Sequence, residues 1–414
     1  MNYKERFQEI HDFLLPYQNV WQNEIMLLYP DPFKDYNLEW INELASFRDK
    51  NDVIKLEKKE VQNYLKSDSL IRFYDRIEQL CHIHSAPDLA PMPSDQFTFL
   101  FMIPKKQHEI KKLAPFVNDF YQKNKVERII DIGGGIGLLS QTLNKEYNLK
   151  ITSVDMDAVL QKTGQDRHEK NARHPENKIE YLNLRVDADN LAFGNILLSN
   201  HITLGLHTCG SLANDQMKAS VKKKIKGMIN FGCCYHKLEK DPQGQNISKF
   251  AQGLKEKIEM NHFALTLASR AHRKMDEKDY DLKLKVKLYR YAIHFLLHDH
   301  YGFRELVTLG NSSPKLYDES FGTYVLEQLA RIQVLPKHTK EELDAYFEDT
   351  ERQNLIWKML AAGLIRNALG RLLELYILLD RAIFLEENGY TVDMMEFFQE
   401  EISPRNIGLI ASLP

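Results

Sequence analysis

The stretch "RIIDIGGGIGLLSQTL" sets a carboxylate and four glycines at the end of a short apolar run. A backbone without Cβ atoms can turn sharply and come close to a ligand. The N–H groups that open the following helix can then face the ligand's polar atoms. Spacing limits which ligand this is. A dinucleotide fingerprint needs G-x-G-x-x-G. Counted from Gly133, its third glycine falls on Leu138; counted from Gly134, its second falls on Ile136. The pattern present is D-x-G-x-G-x-G, with Asp131 ahead of Gly133, Gly135 and Gly137.

Further acids follow at the ends of the next apolar runs. Asp155 closes "ITSVD", followed by Met156, and Asp187 follows "YLNLRV". A carboxylate at the end of the second strand can accept both ribose hydroxyls, and one after the third strand reaches the adenine edge. Together these features resemble class I S-adenosylmethionine-dependent methyltransferases. Their cofactor lacks a pyrophosphate, and an acid before the glycines serves its methionyl part. The expected cofactor contacts are Asp131, Gly133, Gly135, Gly137, Asp155, Met156, Asp187 and His207.

A second constellation lies in "GLHTCGSL" and "GCCYHKLEK". If each closes a strand of one sheet, His207, Cys209, Cys233, Cys234 and His236 converge on the edge where ligands collect. Enzymes that methylate base amino groups often carry Asp/Asn-Pro-Pro-Tyr after the fourth strand; this chain does not. A zinc site would need four N/S ligands. No C-x₂₋₄-C pair exists, and neighbouring strand residues point to opposite faces, so no metal is expected. An acceptor pocket is. Methyl transfer is an in-line displacement in which alignment supplies much of the rate, and a hydroxyl acceptor also needs a base near neutrality. His207, His236 and Tyr235 are the catalytic candidates, with Lys237 as a wall or anion contact.

These residues need a sheet to hold them. "PKKQHEIKKLAPFVNDFYQK" reads as a helix opened by Pro104, "RIIDI" as a strand and "LLSQTLNKEY" as a helix. "ITSVDMD" and "IEYLNLRVDAD" read as strands, then "ITLGLH", a helix at "SLANDQMKASVKKKI", and "GMINFG". Strands alternating with helices imply βαβ units and a parallel sheet. A possible strand at "RELVTLG", one long helix over 359–388 stopped by Gly389, and a last strand "NIGLIAS" complete the pattern. Phe7, Ile10, Phe13, Leu14 and Tyr17 recur on one helix face and read as core. The Pro-rich "APDLAPMPSDQF" marks a boundary. The expected organisation is a helical region over 1–100 and a catalytic domain over 101–414, with a mainly helical insertion at 238–360 that roofs the acceptor pocket.

Composition limits the function. The 414 residues are 43% hydrophobic and 27% charged with a net charge of −3, enough apolar mass for a core and no general basic coat for nucleic acid. "PKKQHEIKK", "KASVKKKIK" and "SRAHRK" are local basic patches that read as solvated faces. Four cysteines do not make a disulfide framework, and the N-terminus has no apolar signal core. A cytoplasmic protein is expected, with no membrane and no DNA partner.

"PKKQHEI", "IIDIGGGIGLLSQTL", "GLHTCGSL", "GCCYHKL", "VTLGNSSPK" and "SPRNIGLIASLP" together resemble the methyltransferase-like protein twenty-five family, from about residue 100 to the end. One family member is described as a ribosomal RNA adenine dimethylase domain-containing protein. "HTCG" and "CCYH" are similar, more distantly, to loops of the tRNA acceptor-stem 2′-O-methyltransferases. Here Leu206 replaces a lysine before the histidine and Tyr235 breaks a histidine pair. The resemblance implies a Rossmann-like α/β fold with a mostly parallel seven-stranded sheet, a methyltransferase, and S-adenosyl-L-methionine as cofactor. The expected function is RNA modification. A protein or small-molecule acceptor, or an inactive cofactor-binding scaffold, are the alternatives.

Overall fold

A computed structural model describes residues 2–57, 64–94, 98–100, 102–171, 174, 176–241, 244–270 and 280–414. The end of the Pro-rich boundary segment and most of "SRAHRK" lie outside the described residues.

Seven strands form one sheet: β1 (Arg128–Ile132), β2 (Ile151–Asp155), β3 (Glu180–Asn183), β4 (His201–Cys209), β5 (Gly227–Cys233), β6 (Thr391–Glu396) and β7 (Ile407–Ser412). Their order is 3-2-1-4-5-7-6. Strands β3, β2, β1, β4 and β5 pair in parallel, and β7 runs antiparallel to both β5 and β6. This is the expected class I methyltransferase sheet, mostly parallel and with one reversed strand.

The helices that pack beside the sheet or build the site are α1 (Tyr3–Leu14), α2 (Pro104–Lys123), α3 (Leu138–Tyr147), α4 (Ala158–Asn171), α5 (Ser211–Lys223) and α6 (Gly370–Glu387). Central strands of a parallel sheet are covered on both faces and so read as continuous apolar runs. Successive residues of β1 serve opposite faces. Ile129 joins Ile202, Leu204 and Phe231 beneath Ile110, Leu113 and Val117 of α2. Ile130 and Ile132 join Val154, Phe193 and Ala219 of α5 on the other side.

The described residues fall into two compact units that do not follow the expected cuts at 100 and at 238–360. One unit comprises 1–15, 80–270 and 371–414; the other comprises 16–79 and 271–370. Helix α1 lies in the first, where Phe7 packs 4.3 Å from Tyr376 and the Tyr3 hydroxyl donates to the Val392 carbonyl. Phe7, Ile10 and Leu14 are core, as their spacing implies. The second unit is helical, and its aromatic centre includes Tyr289 against Phe321, Tyr324 and Phe347. No helix among the described residues is long and apolar enough to cross a membrane.

Four elements differ from their sequence reading. Strand β3 ends at Asn183, opposite Asp155, because β2 offers no further partner beyond that residue. "RELVTLG" joins no ladder. The long helix is two, Thr350–Ala368 and α6, broken at Leu369, next to the point where the compact units part. The sixth strand is "TVDMME", whose charged Asp393 and Glu396 hide its half-buried face.

The β1 core gives a direct stability check. Ile129→Ala should cost about 2–5 kcal/mol in urea unfolding, because Ile129 is wholly buried. Leu335→Ala, at an exposed side chain, should stay within about 0.5 kcal/mol of wild type.

Candidate functional site

The glycine turn joins β1 to α3. Gly133, Gly135 and Gly137 have φ of 67°, 58° and 70°, a left-handed region that L side chains rarely adopt. Gly134, absent from the fingerprint count, is fixed by space instead: a Cβ there would lie 2.3 Å from Ser153 Oγ and 3.0 Å from Asp131 Oδ2. Two amides clamp the loop from behind. Gln141 donates to the Ile136 carbonyl (2.8 Å) and Gln161 to the Gly135 carbonyl (2.8 Å). Among the described residues a Cβ on Gly135 would meet only Leu160, at 4.0 Å, so the floor in front of it is open.

Asp131 sits behind the turn, buried, and accepts a hydrogen bond from Ser140 at 2.5 Å. Burial pushes its carboxyl up to about 6 against the pull of Ser140 and Lys106, with Asp155 adding to the rise. Asp155 closes β2, where one carboxylate oxygen accepts the Gly135 N–H (2.9 Å) and the other the Asp157 N–H (2.9 Å). Each oxygen keeps a second lone pair. Beside it stand the exposed apolar side chains of Met156, Val159 and Leu160. Asp187 lies four residues beyond β3 in a turn, accepting from the Asp189 N–H, and its charge reaches Asp215 at the start of α5. An open glycine floor, a diol-ready carboxylate and an apolar flank, with no cation in the loop for a pyrophosphate, fit S-adenosylmethionine.

The other half of the site lies at the ends of β4 and β5. Strand β4 bulges between Leu206 and Thr208, and His207 takes φ 88°. The bulge turns its Nε2 to Glu109 Oε1 of α2, 2.9 Å away. Glu109 is wholly buried. It also accepts from Ser403 Oγ (2.7 Å), and Lys106 Nζ lies 3.3 Å from its other oxygen. Burial opposes ionisation of Glu109, but His207, Lys106 and Ser403 outweigh it and hold the carboxyl down at about 2. A carboxylate can only accept; the His207 proton therefore sits on Nε2 and Nδ1 is the basic nitrogen. Sequence reasoning missed Glu109, Lys106 and Gly134, although "PKKQHEI" and "GGG" were in view.

Cys209 pairs in register with Cys233, their sulfurs 3.3 Å apart. Cys233 hydrogen-bonds Cys209 and, against burial, lowers its thiol to about 5; Cys233 and Cys234 are pushed up. Tyr235 is wholly buried. Its ring lies 5.6 Å from the Arg381 guanidinium and its hydroxyl donates to Glu374 at 3.2 Å. Burial, then the Glu374 charge, push that phenol well above its usual range. Tyr235 thus buttresses the turn, its hydroxyl taken up by Glu374 and its ring facing Arg381. His236 is half-buried, its Nδ1 without a hydrogen-bond partner among the described residues. Burial, then Arg270 and Lys237, lower its basicity.

Sheet order, the glycine turn after β1 and the acid that closes β2 are those of a class I methyltransferase fold. In agreement, residues 105–241 match the family model described as a methyltransferase domain. The chain is similar to the probable methyltransferase-like protein 25 of Mus musculus, 25% identical over 230 residues, which are 52% of this chain and 38% of that protein. The Homo sapiens protein of the same name is 28% identical over 92 residues, 22% of this chain and 15% of that protein. The chain therefore spans well under half the length of the curated relatives it matches. A crystal structure of coclaurine N-methyltransferase bound to N-methylheliamine and SAH aligns over 91% of this chain and 99% of that one. Its identity is 12% and its TM-score 0.25. The resemblance read from the motifs is borne out by the two protein relatives and the domain match.

Two measurements test the cradle. Gly134→Ala should abolish detectable S-adenosylmethionine binding in calorimetry and lower stability by about 1–3 kcal/mol, the usual cost of forcing a methyl into a packed site. Asp131 gives a pH signature. Its folded pKa of about 6 exceeds its ordinary 3.8, so its stabilising contribution is complete below about pH 4 and is lost as pH rises through 6. Asp131→Asn removes that dependence. Between pH 4 and pH 8 the variant should gain on the wild type by on the order of 3 kcal/mol in chemical unfolding.

Proposed function

We propose that this protein is an S-adenosylmethionine-dependent methyltransferase that methylates a hydroxyl of RNA. The observation that carries the reading is the His207–Glu109 pair beside the glycine cradle. S-adenosylmethionine, when bound, supplies an electrophilic methyl group on a sulfonium. Gly133–Gly137 and Asp155 would hold it, with Met156 and Asp187 offering further contacts to its nucleoside.

The remaining work falls to residues of α2 and β4. Attack by a hydroxyl requires loss of its proton, and neutral imidazole is the side chain whose ordinary pKa suits that at pH 7. Glu109 fixes the His207 tautomer, orients the ring and stabilises the imidazolium that forms, the role a buried carboxylate plays behind a catalytic histidine. His207 Nδ1 receives the proton. A basic imidazole is not needed by an amino acceptor held in an Asp/Asn-Pro-Pro-Tyr loop, which this chain lacks. The similarity of "HTCG" and "CCYH" to loops of tRNA 2′-O-methyltransferases supports RNA as the acceptor, and Lys105 and Lys106 beside Glu109 offer charge for a phosphate.

Tritiated methyl transfer into RNA, protein and metabolite fractions of a deletion strain tests the proposal. Label should appear in RNA, in an alkali-resistant linkage if the acceptor is a ribose hydroxyl. His207→Ala should lower kcat by about 10²–10⁴-fold, well beyond any change in cofactor affinity, and Asp155→Ala should raise the cofactor Kd about tenfold or more. Label in protein or metabolites alone would contradict the RNA acceptor. No label in any fraction, with cofactor still bound, would make the protein a scaffold.

A further inference from the structure

Three thiols stand together at the ends of β4 and β5, and methyl transfer to a hydroxyl gives them no task. The sulfurs of Cys209, Cys233 and Cys234 all lie within 4.8 Å of one another. Strand alternation would send Cys233 and Cys234 to opposite faces. Two departures from regular strand undo that. The bulge at His207 shifts the register so that Cys209 faces Cys233. Strand β5 then stops at Cys233, and Cys234 enters the left-handed region at φ 51°, ψ 47°, which swings its thiol back to the other two.

Left-handed backbone at a non-glycine residue is strained, and such strain gathers at functional sites. Here it is held from both sides: the Gly210 N–H donates to the Cys233 carbonyl and the Lys237 N–H to the Cys234 carbonyl, each at 3.0 Å. Gly210 itself has φ 58°, and a Cβ there would lie 2.7 Å from Lys237 Cβ. The turn is thus built tightly around a conformation whose main visible product is three converging sulfurs.

We propose that Cys209, Cys233 and Cys234 bind a soft, thiophilic divalent cation, with zinc the best match. Zinc–sulfur bonds of about 2.3 Å place the sulfurs of a tetrahedral ion roughly 3.8 Å apart. That lies within the 4.8 Å that bounds the cluster, and the Cys209–Cys233 pair, 3.3 Å apart, need open by only about half an ångström. Thiolates select zinc over magnesium or calcium, which prefer oxygen. No carboxylate or histidine joins the three among the described residues. The fourth tetrahedral position is left for water or another exogenous ligand, the pattern of reactive zinc sites and not of closed structural ones. Cys209 and Cys234 are partly exposed, which gives the ion a way in. Adjacent cysteines argue against one ion only while both stay in a strand, and Cys234 has left it.

The test uses full-length protein, reduced and stripped of metal, titrated with Zn²⁺ and separately with Co²⁺. One ion per chain should bind, with a cobalt–thiolate charge-transfer band, and Zn²⁺ should raise the melting temperature. Cys233 is buried, so the informative variants are Cys234→Ser and Cys209→Ser, each first shown to fold by circular dichroism. Either should weaken binding by at least about tenfold, given that even groups behind metal ligands matter that much. Cys81→Ser, outside the cluster, should bind as wild type. A folded, reduced wild type that takes up no stoichiometric ion overturns the proposal, as does binding unchanged in both variants. The readouts are metal content and spectrum, so they stand apart from the cofactor reading.

Discussion

A carboxylate shut away from water must find partners or give up its charge, and Glu109 organises the candidate site by keeping its charge. Two of its partners come from distant parts of the chain, His207 from the β4 bulge and Ser403 from the segment before β7, and a third, Lys106, from its own helix. Removing any one leaves the others facing an underpaired charge in a low-dielectric setting. That one group therefore ties α2, the end of β4 and the C-terminal segment into a single arrangement. It also decides which nitrogen of His207 is free to act.

The acids on the cofactor side are managed in the opposite way. Asp131 is buried with one hydroxyl partner and lies near Asp155, so its charge is resisted. A cationic ligand in front of the glycine turn would relieve that resistance by favouring the ionised carboxyl. The cradle is thus electrostatically incomplete by itself, while the His207–Glu109 side is satisfied in advance. Lys106 acts on both acids and couples the two halves. Poised sites of this kind concentrate perturbed acids and strained backbone together; His207 and Cys234 supply the strain.

Much of this was legible in the sequence wherever one residue's neighbours along the chain decide its state. The bounds of α2, β1 and α3 follow from Pro104, from the apolar run 128–132 and from the glycines, and the class of fold follows from their alternation. Glu109 was not legible, because its burial depends on residues 98 and 294 positions away. Strand β6 was obscured by its polar edge-facing residues. Tyr235 read as a reactive group because nothing local reveals that Glu374, 139 positions on, takes its hydroxyl. The three thiols were brought to one edge by the sequence but not read as one cluster: spacing rules presume regular strands, and the register shift at His207 and the left-handed turn at Cys234 have no marker in residue type.

The proposed methyl transfer depends on S-adenosylmethionine binding over the open glycine floor. Isothermal titration calorimetry of the full-length protein with S-adenosylmethionine measures this directly. It should show saturable binding at one site per chain at pH 7.5, weakening as the pH falls below about 6 and Asp131 takes up its proton. A folded protein that gives neither binding heat nor a thermal shift with S-adenosylmethionine at either pH would contradict it.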